Sequence, residues 1–352
     1  MSKKLKIGII GIGTIADIHA QSIQKSSNIQ LVSAFSRNSK NVKEFGIKHQ
    51  ITAHSNWEAF ISDPDLDAVS ICTPNGTHLE YGLRSAKAKK HVIVEKPIEI
   101  TIERAKKLIK TCKTNHVALA VIYQNRFTDG MLDLKKMLDN NKLGKLFMGD
   151  AHIKWFRSQE YYDSGNWRGS LDLDGGGVLI NQAIHTIDLL QWLMGDVESV
   201  FGRIGTFTHQ LEGEDNAIAT LQFKNGGIGN IQASTSIQPA QSRKIEIHGE
   251  KGTVIIDGDD ITMNMTDEKL SSKKNKEKTK ESSGSSSPLG GFSIKPHQKQ
   301  FEAISEAILN QKFPPVSGEE SLRSLAIVLG IYQSNKNNIS ILMEDIINRV
   351  KF

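Results

Sequence analysis

The chain has 352 residues, of which 38% are hydrophobic and 24% charged, and its formal net charge is +5 at pH 7. This length predicts two compact domains, and the composition excludes a chain that is disordered throughout. The longest apolar runs, such as Val117–Ile122, fall far short of the roughly 20 residues that cross a bilayer. The two cysteines, Cys72 and Cys112, form neither a disulfide framework nor a metal motif, which favours a reducing cytoplasm. The small charge surplus does not indicate a nucleic-acid partner.

The first third of the chain alternates short apolar runs with amphipathic stretches. This alternation is typical of a parallel sheet with helices on both faces, so an α/β Rossmann domain is predicted over residues 1–122. The predicted strands are Lys6–Ile10, Ile29–Phe35, Ile51–Ala53, Ala68–Cys72, His91–Val94 and Ala118–Ile122. The predicted helices are Ala16–Ser26, Asn41–His49, Trp57–Ser62, Thr77–Ala88 and Ile102–Asn115.

Strands then follow one another without helices between them, which predicts an α+β second domain over residues 123–352 with a mostly antiparallel sheet. Its predicted strands are Phe147–Phe156, Val197–Thr206, Asn216–Phe223, Ile228–Ser236, Lys244–His248 and Thr253–Ile256, and its predicted helices are Ile180–Leu193, His297–Asn310 and Ser321–Tyr332. The segment Thr266–Pro288 is rich in lysine and serine and almost free of apolar residues. It is interpreted as a solvated loop, with binding of nucleic acid or of an acidic partner as the alternative.

A glycine-rich turn follows the first predicted strand. The sequence GIGTIA contains the pattern G-x-G-x-x-A at Gly11, Gly13 and Ala16. The first glycine permits a tight turn, the second lets the backbone approach a pyrophosphate, and the small third residue lets the helix pack on the strand. The first helical turn, with Thr14 and Ile15, supplies N–H donors. The pattern predicts dinucleotide binding, and the alternative is a purely structural turn.

The end of the second predicted strand has no acidic residue, although NAD-binding domains often place Asp or Glu there to bind the adenosine ribose. The chain has Ser36, Arg37 and Asn38 instead. Ser36 and Asn38 are able to bond a 2′-phosphate, and Arg37 is able to pair with it or to stack on adenine. This chemistry narrowly favours NADP. Alternatively, Arg37 faces solvent above the adenine, which is compatible with either cofactor.

Polar residues also follow two further predicted strands. The segment TPNGTH carries Thr73, Asn75 and His78, and the segment EKP carries Glu95 and Lys96. Open α/β sheets bind ligands at the carboxyl ends of their strands. A lysine there is able to bond the nicotinamide ribose and a substrate hydroxyl, and burial tunes the pKa of such a group for catalysis. The alternative is an ordinary surface lysine.

A third polar motif lies in the segment GGGVLINQAIHTID, residues 175–188. Asn181, His185 and Asp188 are spaced i, i+4 and i+7, so they share one face of a predicted helix. Such a face is able to line a cleft, and the alternative is a core histidine beside an exposed asparagine. The carboxylate and cysteine partners that zinc requires are missing nearby, so no metal site is predicted.

These motifs, together with HGEKGTV at residues 248–254, resemble the Gfo/Idh/MocA family of NAD(P)-dependent oxidoreductases over essentially the whole chain. The family couples a Rossmann domain to an open antiparallel sheet. The segments YQNR at 123–126, WFRSQEYYD at 155–163 and WRG at 167–169 are similar to those of the UDP-N-acetylglucosaminuronate 3-dehydrogenases, the WlbA/WbpB-like subgroup of surface-polysaccharide biosynthesis. The usual cofactor of this subgroup is NAD, which opposes the NADP interpretation, so the cofactor is left as NAD or NADP.

The resemblance implies that Lys96 and His185 flank the reacting carbon and that one of them is the acid/base in hydride transfer. Asn181 stands where many relatives carry Asp, and it is expected to position the substrate. The arginines are candidates for holding a sugar carboxylate or a diphosphate, because Arg bonds both in a bidentate way. The expected substrate-binding residues are Gln124, Asn125, Arg126, Arg157, Tyr161, Trp167, Arg168, Asn181 and His185. For Trp155, Tyr161, Tyr162 and Trp167, plain core packing is the alternative, and at least two are expected to follow it.

The resulting expectation is an NAD(P)-dependent dehydrogenase that oxidises UDP-N-acetylglucosaminuronic acid at its 3-hydroxyl. The alternatives are a dehydrogenase of a free sugar, inositol or diol, and a regulator that senses the dinucleotide without catalysis. A homodimer, or more favourably a homotetramer, is expected to form through the outward face of the second domain's sheet. Ile218, Thr220 and Ile231 are the candidate residues on that outward face.

Overall fold

The computed structural model describes residues 4–267 and 293–348. They form two compact units. The first comprises the described residues up to Phe127 together with Ser293–Leu322, and the second comprises the described residues from Thr128 to 267 and from Arg323 onward. The chain therefore returns to the first unit after residue 292, whereas the sequence interpretation assigned all of 123–352 to the second domain. Most of the lysine-rich segment Thr266–Pro288 lies outside the described residues.

The first unit contains the six-stranded parallel sheet of a Rossmann domain, in the order β3-β2-β1-β4-β5-β6. The predicted α/β alternation is confirmed, because fully buried strands read as continuous apolar runs. Its strands are β1 (Leu5–Ile10), β2 (Ile29–Phe35), β3 (Thr52–His54), β4 (Ala68–Ile71), β5 (His91–Val94) and β6 (Leu119–Val121). Its helices before residue 127 are α1 (Thr14–Lys25), α2 (Ser39–His49), α3 (Trp57–Ile61), α4 (His78–Lys87) and α5 (Ile102–Thr114), with 3-10 turns at Asn75–Thr77 and Gln124–Phe127.

The returning segment belongs to the first unit because one of its helices completes that core. Helix α9 (Lys295–Leu309) packs against α1 and β2. Phe301 and Ile304 are fully buried and join the hydrophobic cluster that includes Ala16, Ala20 and Ile23 of α1. Burial of such side chains contributes roughly 1.5–3 kcal/mol each. The amphipathic pattern predicted this helix, but no local signal predicted which sheet it covers.

The second unit is an α+β structure built on an eight-stranded sheet, in the order β13-β12-β11-β7-β10-β9-β8-β14. Its strands are β7 (Leu146–Lys154), β8 (Val197–Gly205), β9 (Asn216–Phe223), β10 (Ile228–Ser234), β11 (Lys244–Gly249), β12 (Gly252–Asp257), β13 (Asp260–Met265) and β14 (Ile341–Leu342). Its helices are α6 (Met131–Asp139), α7 (Gln159–Asp163), α8 (Ile184–Met194) and α11 (Met343–Asn348), and α10 (Gly318–Asn337) begins in the first unit and continues into the second. Strands β7 and β10 pair in parallel, and the other pairs are antiparallel. The mostly antiparallel sheet is therefore confirmed.

Strand alternation divides the residues of β9 and β10 between the two faces of this sheet. Ile218 and Thr220 lie on the exposed face, and the Ile218 side chain is 63% exposed. Ile231, which was expected outward, is instead fully buried and pairs with Ala219. The expectation was wrong because the register sets Asn230 opposite Thr220, which turns the next residue inward.

Within the described parts of the chain, no helix is both long enough and apolar enough to cross a membrane. The two cysteines, Cys72 and Cys112, are buried and are not joined in a disulfide.

Candidate functional site

The two glycines of the GIGTIA turn are required for different reasons. Gly11 has a φ of +83°, and a Cβ on it would lie 2.7 Å from Cγ2 of Thr73 and 3.0 Å from the carbonyl oxygen of Cys72. Gly11 is therefore needed by the fold itself. Gly13 has an ordinary φ of −73°, and nothing lies within 4 Å of the position its Cβ would take. The fold leaves this space open, which is what the close approach of a ligand to the backbone requires.

Helix α1 begins beside that open space without a side-chain cap. Gly13 occupies the N-cap position and, having no side chain, cannot cap the helix. The first N–H groups of a helix have no partner within the helix, and its N-terminus carries a partial positive charge. Thr14 and Ile15 lie in this first turn. The residues present thus fit the pyrophosphate of a dinucleotide, as the sequence predicted.

The residues after β2 do not decide between the two dinucleotides. Asn38 accepts a hydrogen bond from the amide of Asn41 at 3.0 Å and so caps α2, while Oγ of Ser36 accepts from the Asn38 amide at 3.3 Å. Arg37 is exposed. Both Ser36 and Asn38 therefore already have local structural roles, and the preference for NADP stays a prediction.

The loops after β4 and β5 are tied to each other by buried polar side chains. His78 is fully buried, and its two ring nitrogens lie 2.9 Å from the carbonyl oxygen of Pro97 and 3.0 Å from that of Thr73. Burial lowers its pKa. His78 therefore holds the two loops together from within. Asn75 is also buried, and Thr73 is half-buried at the surface of the same turn.

Glu99 makes a second connection between these loops. Its carboxylate is fully buried and accepts hydrogen bonds from the amides of Leu79 and Ile100, each at 2.8 Å. Arg104 pairs with both of its oxygens, at 2.7 and 2.9 Å, and also donates to the carbonyl of Gly76. A bidentate pair that also satisfies backbone groups fixes loop geometry. The loops that carry the predicted cofactor residues are thus held rigidly.

Glu95 and Lys96 follow β5 as predicted. Glu95 is buried and Lys96 is half-buried. Oε1 of Glu95 lies 2.8 Å from Nε2 of the buried His19, and its Oε2 accepts the Lys96 amide at 3.1 Å. His297 lies nearby, so that potential metal-ligand atoms of His19, Glu95 and His297 all fall within 4.8 Å of one another. His19 and Glu95 direct those atoms at each other, so the arrangement is a buried ion pair.

The segment that carries Asn181 and His185 begins as a π-helix, Val178–Ala183, and continues as α8. A π turn of this kind is common at functional sites. Asn181 and His185 are half-buried, whereas Asp188 is 1% exposed and does not share their open face. The amide nitrogen of Asn181 donates to both carboxylate oxygens of Asp174, at 2.8 and 2.7 Å. Because Val178–Ala183 is a π-helix, Asn181 and His185 do not have the α-helical spacing that the sequence predicted.

Glu214 holds the start of this π-helix. Its carboxylate accepts the amides of Gly177 at 3.0 Å and Leu179 at 2.8 Å and the hydroxyl of Tyr332 at 3.0 Å. A Cβ on Gly177 would lie 1.8 Å from the Glu214 carbonyl oxygen, so only glycine permits the approach. Burial raises the pKa of Glu214 to about 7, because no cation compensates its charge among these contacts.

Two arginines of the second unit lie on aromatic rings. The Arg157 guanidinium lies 5.4 Å from the ring centres of Trp155 and Tyr161, and that of Arg168 lies 4.4 Å from Tyr161 and 4.7 Å from Trp167. Both are half-buried, and among the described residues neither contacts a carboxylate. Burial lowers the pKa of Arg157. Half-buried cations without an anionic partner are suited to binding an anionic ligand.

A hydrogen-bond network joins these arginines to the π-helix. Arg157 donates to Oε1 of Gln182 at 3.1 Å, Arg168 donates to the hydroxyl of Tyr161 at 2.8 Å, and Gln182 donates to the same hydroxyl at 2.8 Å and to Asn181 at 3.0 Å. The structure thus brings Asn181 and the residues of the WFRSQEYYD and WRG segments together. Of the four aromatic residues considered, Trp155 and Tyr162 are buried, while Tyr161 and Trp167 are half-buried.

Gln124, Asn125 and Arg126 form a 3-10 turn of the first unit. Arg126 is 3% exposed and pairs with Glu320, so its charge is already balanced. Oε1 of Gln124 is buried and has no hydrogen-bond partner within the described chain. In this segment Gln124 is better suited than Arg126 to hold a polar ligand.

The chain matches two protein-family models. Residues 5–123 match the model of the oxidoreductase family with an NAD-binding Rossmann fold, and residues 131–255 match that of the Gfo/Idh/MocA C-terminal domain. The chain belongs to the Gfo/Idh/MocA family. The predicted resemblance, the NAD-binding domain and the status of the chain as an oxidoreductase are thereby confirmed.

Members of the family with different substrates are similar to this chain. The WlbA dehydrogenase from Bordetella pertussis, solved in complex with NADH and UDP-GlcNAcA, is 29% identical with a TM-score of 0.84, covering 97% of this chain and 99% of that one. Myo-inositol 2-dehydrogenase of Thermotoga maritima is 27% identical, and the match covers 97% of this chain and 100% of that protein. Levoglucosan dehydrogenase of Pseudarthrobacter phenanthrenivorans is 26% identical, covering 60% of each. These relatives show a dehydrogenase of sugar or polyol hydroxyls and do not identify the substrate.

Sequence reasoning missed groups that hold the site of this Gfo/Idh/MocA enzyme. They include the buried His19, Glu99, Asp174 and Glu214 and the half-buried Arg104 and Tyr332 described above. The half-buried His209 and the buried Asp215, whose side chains lie 2.9 Å apart, form a further pair. A signal existed for His19, since it lies at helical spacing among the apolar residues Ala16, Ala20 and Ile23 and is therefore buried on that face. The remaining partners are distant in sequence, as Glu214 is from Leu179, and no local pattern marks such pairs.

Substitution of Gly13 by alanine is expected to separate cofactor binding from folding. The φ and the open space at Gly13 permit a methyl group, so thermal stability should fall only slightly, because alanine is a poorer N-cap than glycine. The affinity for NADH should fall at least about tenfold, or ~1.4 kcal/mol. Isothermal calorimetry and thermal unfolding measure the two effects. Gly11→Ala is the matched comparison, and it should lower the melting temperature because the added methyl clashes with Thr73 and Cys72. Normal NADH affinity in Gly13→Ala would contradict the site.

Glu214 should make the stability of the protein depend on pH. Its folded pKa of about 7 lies above the ordinary value of 4.5, so between these values the folded state binds a proton that the unfolded state does not. The stabilisation is complete below about pH 4.5 and is lost as the pH rises through about 7. In Glu214→Gln, the denaturation midpoint should vary less with pH in this window. Glu212→Gln removes an exposed carboxylate two residues away and should keep the wild-type slope. A Glu214→Gln slope equal to that of the wild type would contradict the assignment.

Proposed function

We propose that the protein oxidises a hydroxyl group of a nucleotide-linked sugar acid with NAD or NADP, and that UDP-N-acetylglucosaminuronic acid oxidised at the 3-hydroxyl is the substrate. The observation that supports this most strongly is the pair of half-buried arginines, Arg157 and Arg168, which lack a carboxylate partner among the described residues. A carboxylate or diphosphate would supply the missing negative charge. A neutral polyol would leave both guanidinium groups uncompensated.

The surroundings of the arginines also favour a sugar nucleotide. Tyr161 and Trp167 present half-buried rings on which both guanidinium groups are already ordered. The side chains of Asn181 and Gln182 add polar groups that are able to bond sugar hydroxyls. The WlbA relative, which carries UDP-GlcNAcA, supports the same class of ligand. A role in surface-polysaccharide biosynthesis follows if that substrate is correct.

NAD supplies the hydride acceptor when it is bound. Lys96 and His185 are the two candidates for accepting the proton that leaves the sugar hydroxyl, and we propose that one of them does so. Asn181, held by Asp174, positions a sugar hydroxyl. Gly11, Gly13, Thr14, Ile15, Ser36, Arg37, Thr73, Asn75, His78, Glu95 and Lys96 remain the proposed cofactor site. The residues that remain in the proposed substrate site are Gln124, Asn125, Arg157, Tyr161, Trp167, Arg168, Asn181 and His185. Arg126 is left out because its charge is balanced by Glu320.

Titration with UDP tests the substrate class. Calorimetry in the presence of NADH should detect UDP binding, and NAD reduction over a panel of sugar nucleotides, free sugars and inositols should be fastest with the UDP-linked sugar acid. Arg157→Gln should weaken binding of that substrate at least about tenfold, since a charged hydrogen bond contributes about 1.5–3 kcal/mol.

Arg203→Gln is the matched control, because Arg203 also lies over an aromatic ring of the second unit, Phe201, but is exposed. It should leave binding unchanged. Absence of UDP binding together with reduction by inositol or a free sugar would contradict the proposed substrate and favour the polyol dehydrogenases that are also similar to this chain.

We also propose that the chain forms a homodimer or homotetramer through the exposed face of the second unit's sheet. Ile218 and Ile228 are 63% and 56% exposed on neighbouring strands, and burying apolar surface of this kind stabilises association. Light scattering should give a multiple of 39.0 kDa, and Ile218→Glu should lower it. Phe313→Glu adds the same charge at a side chain that is 94% exposed in the first unit and should not change the mass. A single 39 kDa species of the wild type would rule the assembly out.

A further inference from the structure

A buried histidine lies behind the loop that carries Lys96. His19 is on the inner face of α1 and is fully buried. Its Nδ1 lies 2.9 Å from Oγ of Ser70 and 3.2 Å from Sγ of Cys72, at the end of β4. Its Nε2 lies 2.8 Å from Oε1 of Glu95. Contacts at both ring nitrogens fix the orientation of the imidazole.

Glu95 links this histidine to Lys96 in two ways. Its second oxygen accepts the backbone amide of Lys96 at 3.1 Å, so the carboxylate orients the peptide group that precedes the Lys96 side chain. The positive charge of Lys96 also acts on Glu95, since both His19 and Lys96 lower the pKa of Glu95 against the effect of burial. One buried carboxylate thus interacts with two cationic side chains.

The titratable groups around the pair favour its charged form. Burial of His19 lowers its pKa, but Cys72 and Glu95 outweigh that effect and raise it well above the ordinary value. His297, whose ring centre is 5.5 Å from that of His19, is kept neutral because burial and the charge of His19 lower its pKa to about 3. Burial lowers the pKa of His78, although the charge of Glu95 acts to raise it. The negative charge of Glu95 is therefore balanced by both His19 and Lys96.

We propose that His19 is a positioning residue for Lys96. The positive charge of His19 balances part of the negative charge of Glu95 and so sets the pH at which Lys96 releases its proton. This inference rests on the proposed function, in which Lys96 is a candidate for the proton transfer. If His19 were neutral, Lys96 alone would balance a buried carboxylate and would hold its proton more tightly. If Glu95 were neutral, Lys96 would lose its anion and release its proton more readily.

The relation predicts opposite effects for two substitutions of the same pair. In His19→Gln, Glu95 keeps its charge without the histidine, so the titration of Lys96 should move to higher pH by about 1 unit. In Glu95→Gln, it should move to lower pH by about 1 unit. In the double variant both charges are lost, so the value should fall below that of His19→Gln. A purely structural role would give shifts without this sign pattern.

The titration can be followed without substrate. Trace acetylation with acetic anhydride at a series of pH values, followed by mass spectrometry of the peptide containing Lys96, reports the fraction of unprotonated amine in the folded full-length protein. His49→Gln is the matched control, because His49 is a buried histidine of the first unit whose Nε2 lies 2.7 Å from Asp17. It removes the buried histidine of another His–carboxylate pair, whose Asp17 is half-buried, and should leave the Lys96 titration unchanged. Circular dichroism confirms that each variant is folded.

Shifts of the same sign in both single variants, or no shift, would overturn the inference. If His19→Gln does not fold, His19→Asn takes its place and must also move the Lys96 titration above that of the wild type, while Glu95→Gln must move it below. The outcome is independent of the proposed function, since acetylation requires no turnover. Loss of sugar oxidation in the whole panel would contradict the function and leave the charge coupling intact, whereas an active enzyme without opposite shifts would contradict only the coupling.

Discussion

Several loops of this protein, including those after β4 and β5 and the one that leads into the π-helix, are held by buried carboxylates that accept backbone amides. Glu95 accepts the amide of Lys96, Glu99 those of Leu79 and Ile100, Asp174 that of Gly169, Glu214 those of Gly177 and Leu179, and Asp215 those of Phe207, Thr208 and His209. Loops cannot satisfy their own N–H groups as helices and strands do. A carboxylate has the most acceptor capacity of any side chain and serves several amides at once. The irregular segments owe their definite shape to this constraint.

Removing these charged carboxylates from water is unfavourable, and the structure compensates these charges in different ways. Glu99 is paired with Arg104, and Glu95 with His19. Asp215 accepts amides from the loop around it and lies 2.9 Å from Nδ1 of His209, and these contacts lower its pKa although burial opposes this. Glu214 has amides and a tyrosine hydroxyl but no cation among its contacts, and its pKa is raised by burial. A cation close to a buried acid lowers the pKa, and amide donors alone offset burial only when they are numerous enough.

The sequence predicted most of the first unit because its strands are buried on both faces. The predicted β2 and β5 match the structure residue for residue. The role of Gly11 follows from a backbone conformation that favours glycine, and that of Gly13 from the open space beside it. The prediction was poorer where structure depends on distant partners. The inward direction of Ile231 follows from its pairing with Ala219, and the π turn at Val178–Ala183 is held by Glu214. Neither contact is encoded within a short window of sequence.

The arginines show how charge compensation distinguishes structural groups from ligand-binding ones. Arg104, Arg126 and Arg243 each have a carboxylate, from Glu99, Glu320 and Asp259. Arg157 and Arg168 have aromatic faces and neutral hydrogen-bond acceptors instead. Stacking fixes the plane of a guanidinium group but does not neutralise it, so the charge remains available within an environment that is partly removed from water. The sequence alone does not distinguish these arginines, and only their contacts separate those that hold the fold from those whose charge is available to an anion.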